Sequence, residues 1–205
     1  SAKIKQRPLV LVADVSGSME KYSRLVLQLF YGLSHSFGQV ESFVFGTRLT
    51  RVTEQLALRN VDRAIDQAAR EVVDWSGGTR IGESLSELNR RYGRRVLRRG
   101  AVVLVVSDGW ERGDSDLLRR EMRHLKHRCH RLIWLNPHLG AAGYEPKVAG
   151  MAAALPFVDD FLSVRDLTSL EALVRHLGSL SENRGARPHS TIPSVSRSSS
   201  AGGDP

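Results

Sequence analysis

A chain of 205 residues, 41% hydrophobic and 25% charged, has the make-up of one globular α/β domain with a sizeable core. Its single cysteine, Cys129, excludes an internal disulfide and any multi-cysteine zinc module, and points to a reducing, cytoplasmic setting. A formal net charge of +8, almost wholly from arginine, admits nucleic acid, anionic membrane or an acidic protein as partner without choosing among them. No apolar stretch approaches the length of a transmembrane segment, and no signal peptide is visible. The opening "SAKIKQRP" lacks a methionine, so residues 1–7 are expected to be a linker or the start of an excised piece of a longer protein.

Strand and helix patterns alternate along the chain. Leu9 to Ala13 is a short apolar strand that stops abruptly on the polar "DVSGS". Val26, Phe30, Leu33 and Phe37 then share one helical face. Val40 to Phe45 is a second strand, and "RLTRVT" after Gly46 is expected at a sheet edge. Helical spacing returns at Val61, Ile65, Ala68 and Val72, and again at Ile81, Leu85, Leu88 and Tyr92. "AVVLVV" (101–106) has no alternation, which suits a central parallel strand covered on both faces. Leu118, Met122, Leu125 and Cys129 line another helix, followed by strands at 131–135 and 159–164. The final helix opens with Thr168 and Glu171 at capping-box spacing and is expected to bury Leu170, Leu173, Val174 and Leu177. The domain therefore spans 8–181, and the Ser/Pro/Gly-rich residues 182–205 read as a disordered tail. This order predicts a three-layer, Rossmann-like α/β fold: an open, mostly parallel six-stranded sheet with helices on both faces.

In such sheets ligands bind beyond the carboxyl ends of the strands, at the switch in strand order. "DVSGS" leaves the first strand there, and "SDGWERGD" leaves the 101–106 strand. If the two strands are neighbours, Asp14 and Asp108 share one crevice. Between them in sequence, "WSGGTRIGESL" offers the Gly77–Gly78 pair for a close backbone approach, with Thr79 directly after it. Asp14, Ser16, Ser18, Thr79 and Asp108 are all oxygen donors, which suit Mg²⁺ or Mn²⁺ and fit zinc or copper poorly. Three neutral hydroxyls and two carboxylates do not over-neutralise a divalent ion, so it stays attractive to an acidic side chain from another protein. Gly17, Met19, Gly78, Arg80, Gly109, Trp110 and Tyr144 form the expected partner-facing rim.

"DVSGSM", "GGT" and "SDG", in that order, resemble the metal-ion-dependent adhesion site (MIDAS) of von Willebrand factor type A (VWA) domains, over roughly residues 8–178. The resemblance implies that Ser16, Ser18 and Thr79 are hydroxyl ligands and that Asp14 and Asp108 are carboxylates acting through water. "GGTRIGESL", "YGRRVLRRGAVVLVVSDGWERGD", "WLNPHLG" and "GYEPKVAGMAAALPFVDDFL" resemble, more closely, the bacterial CoxE-like family. That resemblance implies a non-enzymatic accessory protein of carbon monoxide dehydrogenases and related molybdenum hydroxylases, working with a MoxR-type AAA+ ATPase in metal-centre maturation. The family usually carries a longer N-terminal region, which this chain lacks. The isolated domain is expected to be monomeric.

Two other readings stay open. The arginine pairs 90–91, 94–95 and 98–99 form a basic surface that a nucleic acid would need, but aromatic residues for base stacking are not interleaved, apart from Tyr92. A Mg²⁺-dependent phosphoester hydrolase would use the same cup, yet no aspartate pair at nucleophile and acid spacing follows a strand. A serine hydrolase is disfavoured by the lack of a G-x-S-x-G elbow around Ser16. His124, His127, Cys129 and His130 are split around a helix, and the spacing favours cations complementing the helix dipole over a zinc site.

Overall fold

The computed structural model describes residues 7–72, 78–98, 100–164 and 167–182. Gly77, Arg99, residues 1–6 and the tail from 183 onward lie outside the described residues.

Six strands form one sheet in the order β3-β2-β1-β4-β5-β6, with β1 Leu9–Asp14, β2 Val40–Phe45, β3 Leu49–Arg51, β4 Val102–Val106, β5 Arg131–Asn136 and β6 Asp160–Ser163. All neighbouring pairs are parallel except β2 and β3, so the predicted edge strand is the one antiparallel member. The helices are α1 Glu20–Ser36, α2 Thr53–Leu56, α3 Val61–Arg70, α4 Ile81–Glu87, α5 Gly93–Val96, α6 Ser115–Arg128, α7 Ala149–Ala154 and α8 Leu167–Glu182.

Alternation along the central strands divides the core in two. Leu9, Leu11, Ala13, Leu104 and Val106 face α1, α3 and α8, meeting Phe30, Leu33, Ile65 and Leu177. Val10, Val12, Val103, Val105 and Trp134 face α4 to α7, meeting Leu85, Leu118, Met122 and Met151. β1, β4 and β5 are fully buried, which explains their continuous apolar runs.

Three details depart from the sequence expectation. Val174 is 43% exposed, and Leu180 takes its place in the core beside Leu173 and Leu177. The α8 sequence carries more apolar residues than one face of a helix can bury. Thr168 lies inside α8, which begins at Leu167, so it is not the cap that Thr168–Glu171 spacing suggests. The segment expected as one helix from Ile81 to Tyr92 passes into a π-helical turn at Leu88–Tyr92 before α5. That turn places Asn89 against α6, where its side chain donates to the Glu121 carbonyl (3.2 Å) and carboxylate (2.9 Å).

Candidate metal centre

β1 and β4 pair in register from Leu9↔Val102 to Ala13↔Val106, and the strand order reverses between them. Their carboxyl ends therefore open onto the crevice at the topological switch point. Asp14 and Ser107 follow the last register pair, and the Ser107 hydroxyl donates to Asp14 Oδ2 at 2.7 Å. The other oxygen, Oδ1, accepts from the Ser16 backbone N–H at 2.9 Å. This Asx-type turn leads the chain from β1 into a single 3₁₀ turn, Gly17–Met19, and on into α1. Met19, buried against the core, anchors the turn from below.

The second loop brings up Thr79. Gly78 has φ +92°, a left-handed conformation that a side chain would strain. The Arg80 N–H donates to the Gly46 carbonyl at 3.0 Å, fixing the loop to the end of β2. Thr79 is 3% exposed, and its hydroxyl donates to Ser16 Oγ at 2.7 Å. Ser16 Oγ lies 3.4 Å from Ser18 Oγ. Hydroxyls from two separate loops thus converge on one point, with the Asp14 carboxylate directly beneath Ser16.

Asp108 stands on the third loop, after β4. Its Oδ1 accepts from the Trp110 N–H at 3.0 Å, while Ser107 Oγ accepts from the Gly109 N–H at 3.0 Å. Gly109 has φ +80°, and a Cβ there would meet Met151 Sδ at 2.4 Å, so the loop lies flat against α7. Asn136, the last residue of β5, donates from Nδ2 to the Asp108 carbonyl (3.3 Å) and to the Tyr144 hydroxyl (2.8 Å). A cavity of about 270 Å³ opens above the cluster, lined by Ser16, Gly17, Ser18, Gly78, Thr79, Trp110 and Arg112.

Electrostatically the floor is distinctive. Asp14 is fully buried, and the Ser16 N–H and Ser107 hydroxyl that hold it are donors without charge. Burial pushes its carboxyl up to about 6, against the bonds from Ser16 and Ser107, and the nearby Asp108 charge adds to the rise. A buried carboxylate held only by neutral donors is a site that a cation would stabilise. Among the described residues no cluster of three or more His, Cys, Asp or Glu side chains is placed to hold a metal, so the donor set here is hydroxyl-rich. Oxygen donors of this mixed kind fit a hard divalent cation.

The expected rim is only partly on the surface. Ser18, Gly17, Arg80 and Trp110 are exposed, with Trp110 at 56%, and Gly78 and Tyr144 are half-buried. Met19 and Gly109, expected to face a partner, are buried instead. Met19 is too apolar to leave the core beneath the turn, and Gly109 is pressed onto Met151. Sequence reasoning did not single out Ser107, Asn136 and Arg112. For the first two a signal was present: β5 ends on a polar residue and β4 runs directly into one, as β1 ends on Asp14. His127 lies in the last turn of α6, and Cys129, directly after the helix, packs against the core, where burial pushes its thiol up to about 12.

A doubly wound sheet with an oxygen-lined cup at its switch point defines a domain of the von Willebrand factor type A class. The solved structure of a von Willebrand factor type A protein from Catenulispora acidiphila is similar over 86% of this chain and 43% of that one, at 16% identity and a TM-score of 0.63. Proximal thread matrix protein 1 from the mussel byssus, solved with a zinc occupied MIDAS motif, is similar over 84% of this chain and 47% of that one, at 14% identity and a TM-score of 0.58. An aerotolerance-related membrane protein from Bacteroides fragilis is similar over 84% of this chain and 99% of that one, at 13% identity and a TM-score of 0.56. At these identities the likeness is one of fold, and the chain spans less than half the length of the first two. No curated protein matches the chain. Over residues 1–170 the sequence matches the family described as VWA domain containing CoxE-like protein, and the chain belongs to that family.

Proposed function

We propose that this domain is a Mg²⁺-dependent protein-binding module of an accessory factor, and not an enzyme. The observation that carries the reading is the convergence of the Ser16, Ser18 and Thr79 hydroxyls from two loops, with Asp14 beneath them and Asp108 on the adjoining loop. Ser16, Ser18 and Thr79 would hold the ion directly, and Asp14 and Asp108 would hold its waters. The bound ion supplies a positive centre that accepts a carboxylate from the partner. The chain's own part is to hold hydroxyls at the mouth and to keep Asp14 aligned through Ser107 and the Ser16 N–H.

Membership of the CoxE-like family supports a role beside a carbon monoxide dehydrogenase-like molybdenum enzyme, with a MoxR-type AAA+ ATPase as the partner that supplies the Asp or Glu. No helix among the described residues is long and apolar enough to cross a membrane.

The test is capture of the purified MoxR-type ATPase on immobilised wild-type domain and on Asp14→Ala, each in Mg²⁺ or EDTA. Retention by wild type in Mg²⁺ alone is expected. Equal retention under all four conditions would move the interface away from the cup and defeat the reading. Binding of a nucleic acid that falls steeply with salt and ignores EDTA would favour the arginine surface instead.

A further inference from the structure

Two side chains at the mouth of the cup are not spent on building it. Arg112 is strapped to the Thr79 loop: its N–H donates to the Thr79 carbonyl at 2.9 Å. Its stem crosses Gly78 so closely that a Cβ at that position would lie 2.8 Å from Cδ and 3.4 Å from Nε and Nη1. The missing side chain at Gly78 therefore makes room for Arg112 as well as allowing φ +92°. The neighbouring charges are engaged elsewhere. Arg80 pairs with Glu83 at 2.8 Å, and the Glu111 carboxylate accepts from the Gly82 and Gly113 N–H groups at 2.8 and 2.6 Å. Arg112 has no carboxylate partner among the described residues, although it lines the cavity above Ser16, Ser18 and Thr79. Beside it, Trp110 presents a 56% exposed side chain while its backbone is pinned to Asp108.

Such a mouth presents two positive points: the position of a divalent ion above Asp14, and the Arg112 guanidinium lining the same cavity. A ligand with two carboxylates satisfies each, the second in the forked arrangement that guanidinium favours. The exposed Trp110 indole, lining the same cavity, offers an apolar anchor of the kind that dominates interface energetics.

We propose that the cup and Arg112 form a two-point acceptor for an acidic surface segment of a partner protein. One carboxylate takes the metal position, a second pairs with the Arg112 guanidinium, and an apolar side chain of the same segment lies on Trp110. This rests on the metal-dependent reading above and adds the class of segment recognised.

The test uses the full chain and blocked peptides of sequence Ala-Asp-Leu-Glu-Ala, together with relatives in which Asp, Glu or both are replaced by the amide. Binding is followed by NMR through the Trp110 indole N–H, assigned with Trp110→Phe, and Mg²⁺ alone is titrated first against the Ser16 and Thr79 amides. The diacid peptide should bind only with Mg²⁺, and each single amide replacement should weaken it about fivefold to tenfold, the scale of one partly exposed ion pair at an interface. Arg112→Ala should abolish the difference between the diacid and its better monoacid relative, and Arg112→Lys should restore part of it. Unchanged thermal melting of both variants shows that the fold is intact. Equal binding of diacid and monoacid peptides, untouched by Arg112→Ala, overturns the two-point acceptor and leaves the metal-dependent reading standing. Mg²⁺ binding with no response to any peptide also overturns it. Failure of Mg²⁺ to perturb the cup amides sinks the underlying reading, and the inference with it.

Discussion

The two ends of the sheet each bury an aspartate, and they treat it in opposite ways. At the amino end Asp160, the first residue of β6, is 1% exposed and meets Arg131, the first residue of β5, through two bonds of 2.6 Å. His176 of α8 adds a third contact at 3.1 Å. Burial pushes this carboxyl up, but the bonds from His176 and Arg131 and the Arg131 charge outweigh it, holding it well below the ordinary carboxylate range. At the carboxyl end Asp14 is buried as deeply with uncharged donors only, and its carboxyl is pushed up to about 6. The amino end is a closed ion pair that joins two strands and a helix. The carboxyl end is an open crevice whose buried carboxylate is held by neutral donors. Burial is the same at the two sites; the charge of the partners is what differs.

The comparison breaks most visibly at the amino end. Asp160→Ala removes both 2.6 Å bonds to the Arg131 guanidinium, whose side chain is 4% exposed, and the expected loss is about 3–5 kcal/mol, the usual cost of breaking a buried ion pair from one side. Calorimetric melting should fall by roughly 10 °C, at a few degrees per kcal/mol for a domain of this size. The pH dependence has a definite sign. A carboxyl lowered by folding contributes stability that is present above its unfolded pKa and lost as pH falls toward its native value. Wild type should therefore weaken progressively below about pH 4, the unfolded carboxylate pKa, and Asp160→Asn should flatten that limb. An unchanged acid limb would mean that the Arg131 pair does not set acid stability.

A smaller effect, of opposite origin, is expected at the cup. Saturating Mg²⁺ at 100 times its dissociation constant should stabilise wild type by about 2.7 kcal/mol. Asp14→Asn should lose most of that gain. Equal Mg²⁺ stabilisation of wild type and Asp14→Asn would place the ion elsewhere on the molecule.

How much of this contrast the sequence carried depends on the range of the interactions. The cup was legible because its parts are local and polar where a strand should be apolar: "DVSGS" ends β1, and "SDG" follows β4. The switch point followed from the alternation of strand and helix patterns, and the strand order agrees with it. The Arg131–Asp160–His176 cluster was invisible, because it joins residues 29 and 16 positions apart with no periodic pattern. Arg112 was hidden for a related reason: its position depends on a backbone bond to Thr79 and on space left by Gly78, neither of which residue types reveal. Val174 sits in an apolar helix, and periodicity alone could not say which apolar residue would be left outside.

A subtler prediction sharpens the comparison in EDTA. Without a cation, Asp14→Asn replaces a charge that burial penalises with a neutral group of the same shape. The Ser16 N–H can still donate to its oxygen, and the Ser107 hydroxyl can turn to accept from its amide. Chemical denaturation in EDTA at pH 7.5 should then show the variant within about 1 kcal/mol of wild type, or above it, as expected when a buried charge without a counter-charge is removed. A loss comparable with Asp160→Ala would show that Asp14 is a structural carboxylate after all, and the two ends of the sheet would be alike.

The smallest effect concerns how tightly the cup's outer ring is held. Tyr144→Phe removes the hydroxyl that accepts from Asn136 Nδ2, but Asn136 keeps the Asp108 carbonyl at 3.3 Å and Met151 Sδ at 3.7 Å. The Tyr144 ring also keeps its tilted contact with His138, centroids 5.8 Å apart. No buried group is orphaned, so the expected cost is about 0.5–1 kcal/mol, one ordinary hydrogen bond. Amide exchange should quicken around residues 136–151 and stay unchanged at Arg131 and Asp160. That outcome fits a carboxyl end whose loops can adjust to a partner above an amino end that cannot move. A melting loss as large as that of Asp160→Ala would mean that the Asn136–Tyr144 bond locks the third loop, and that the cup is as rigid as the ion cluster at the other end of the sheet.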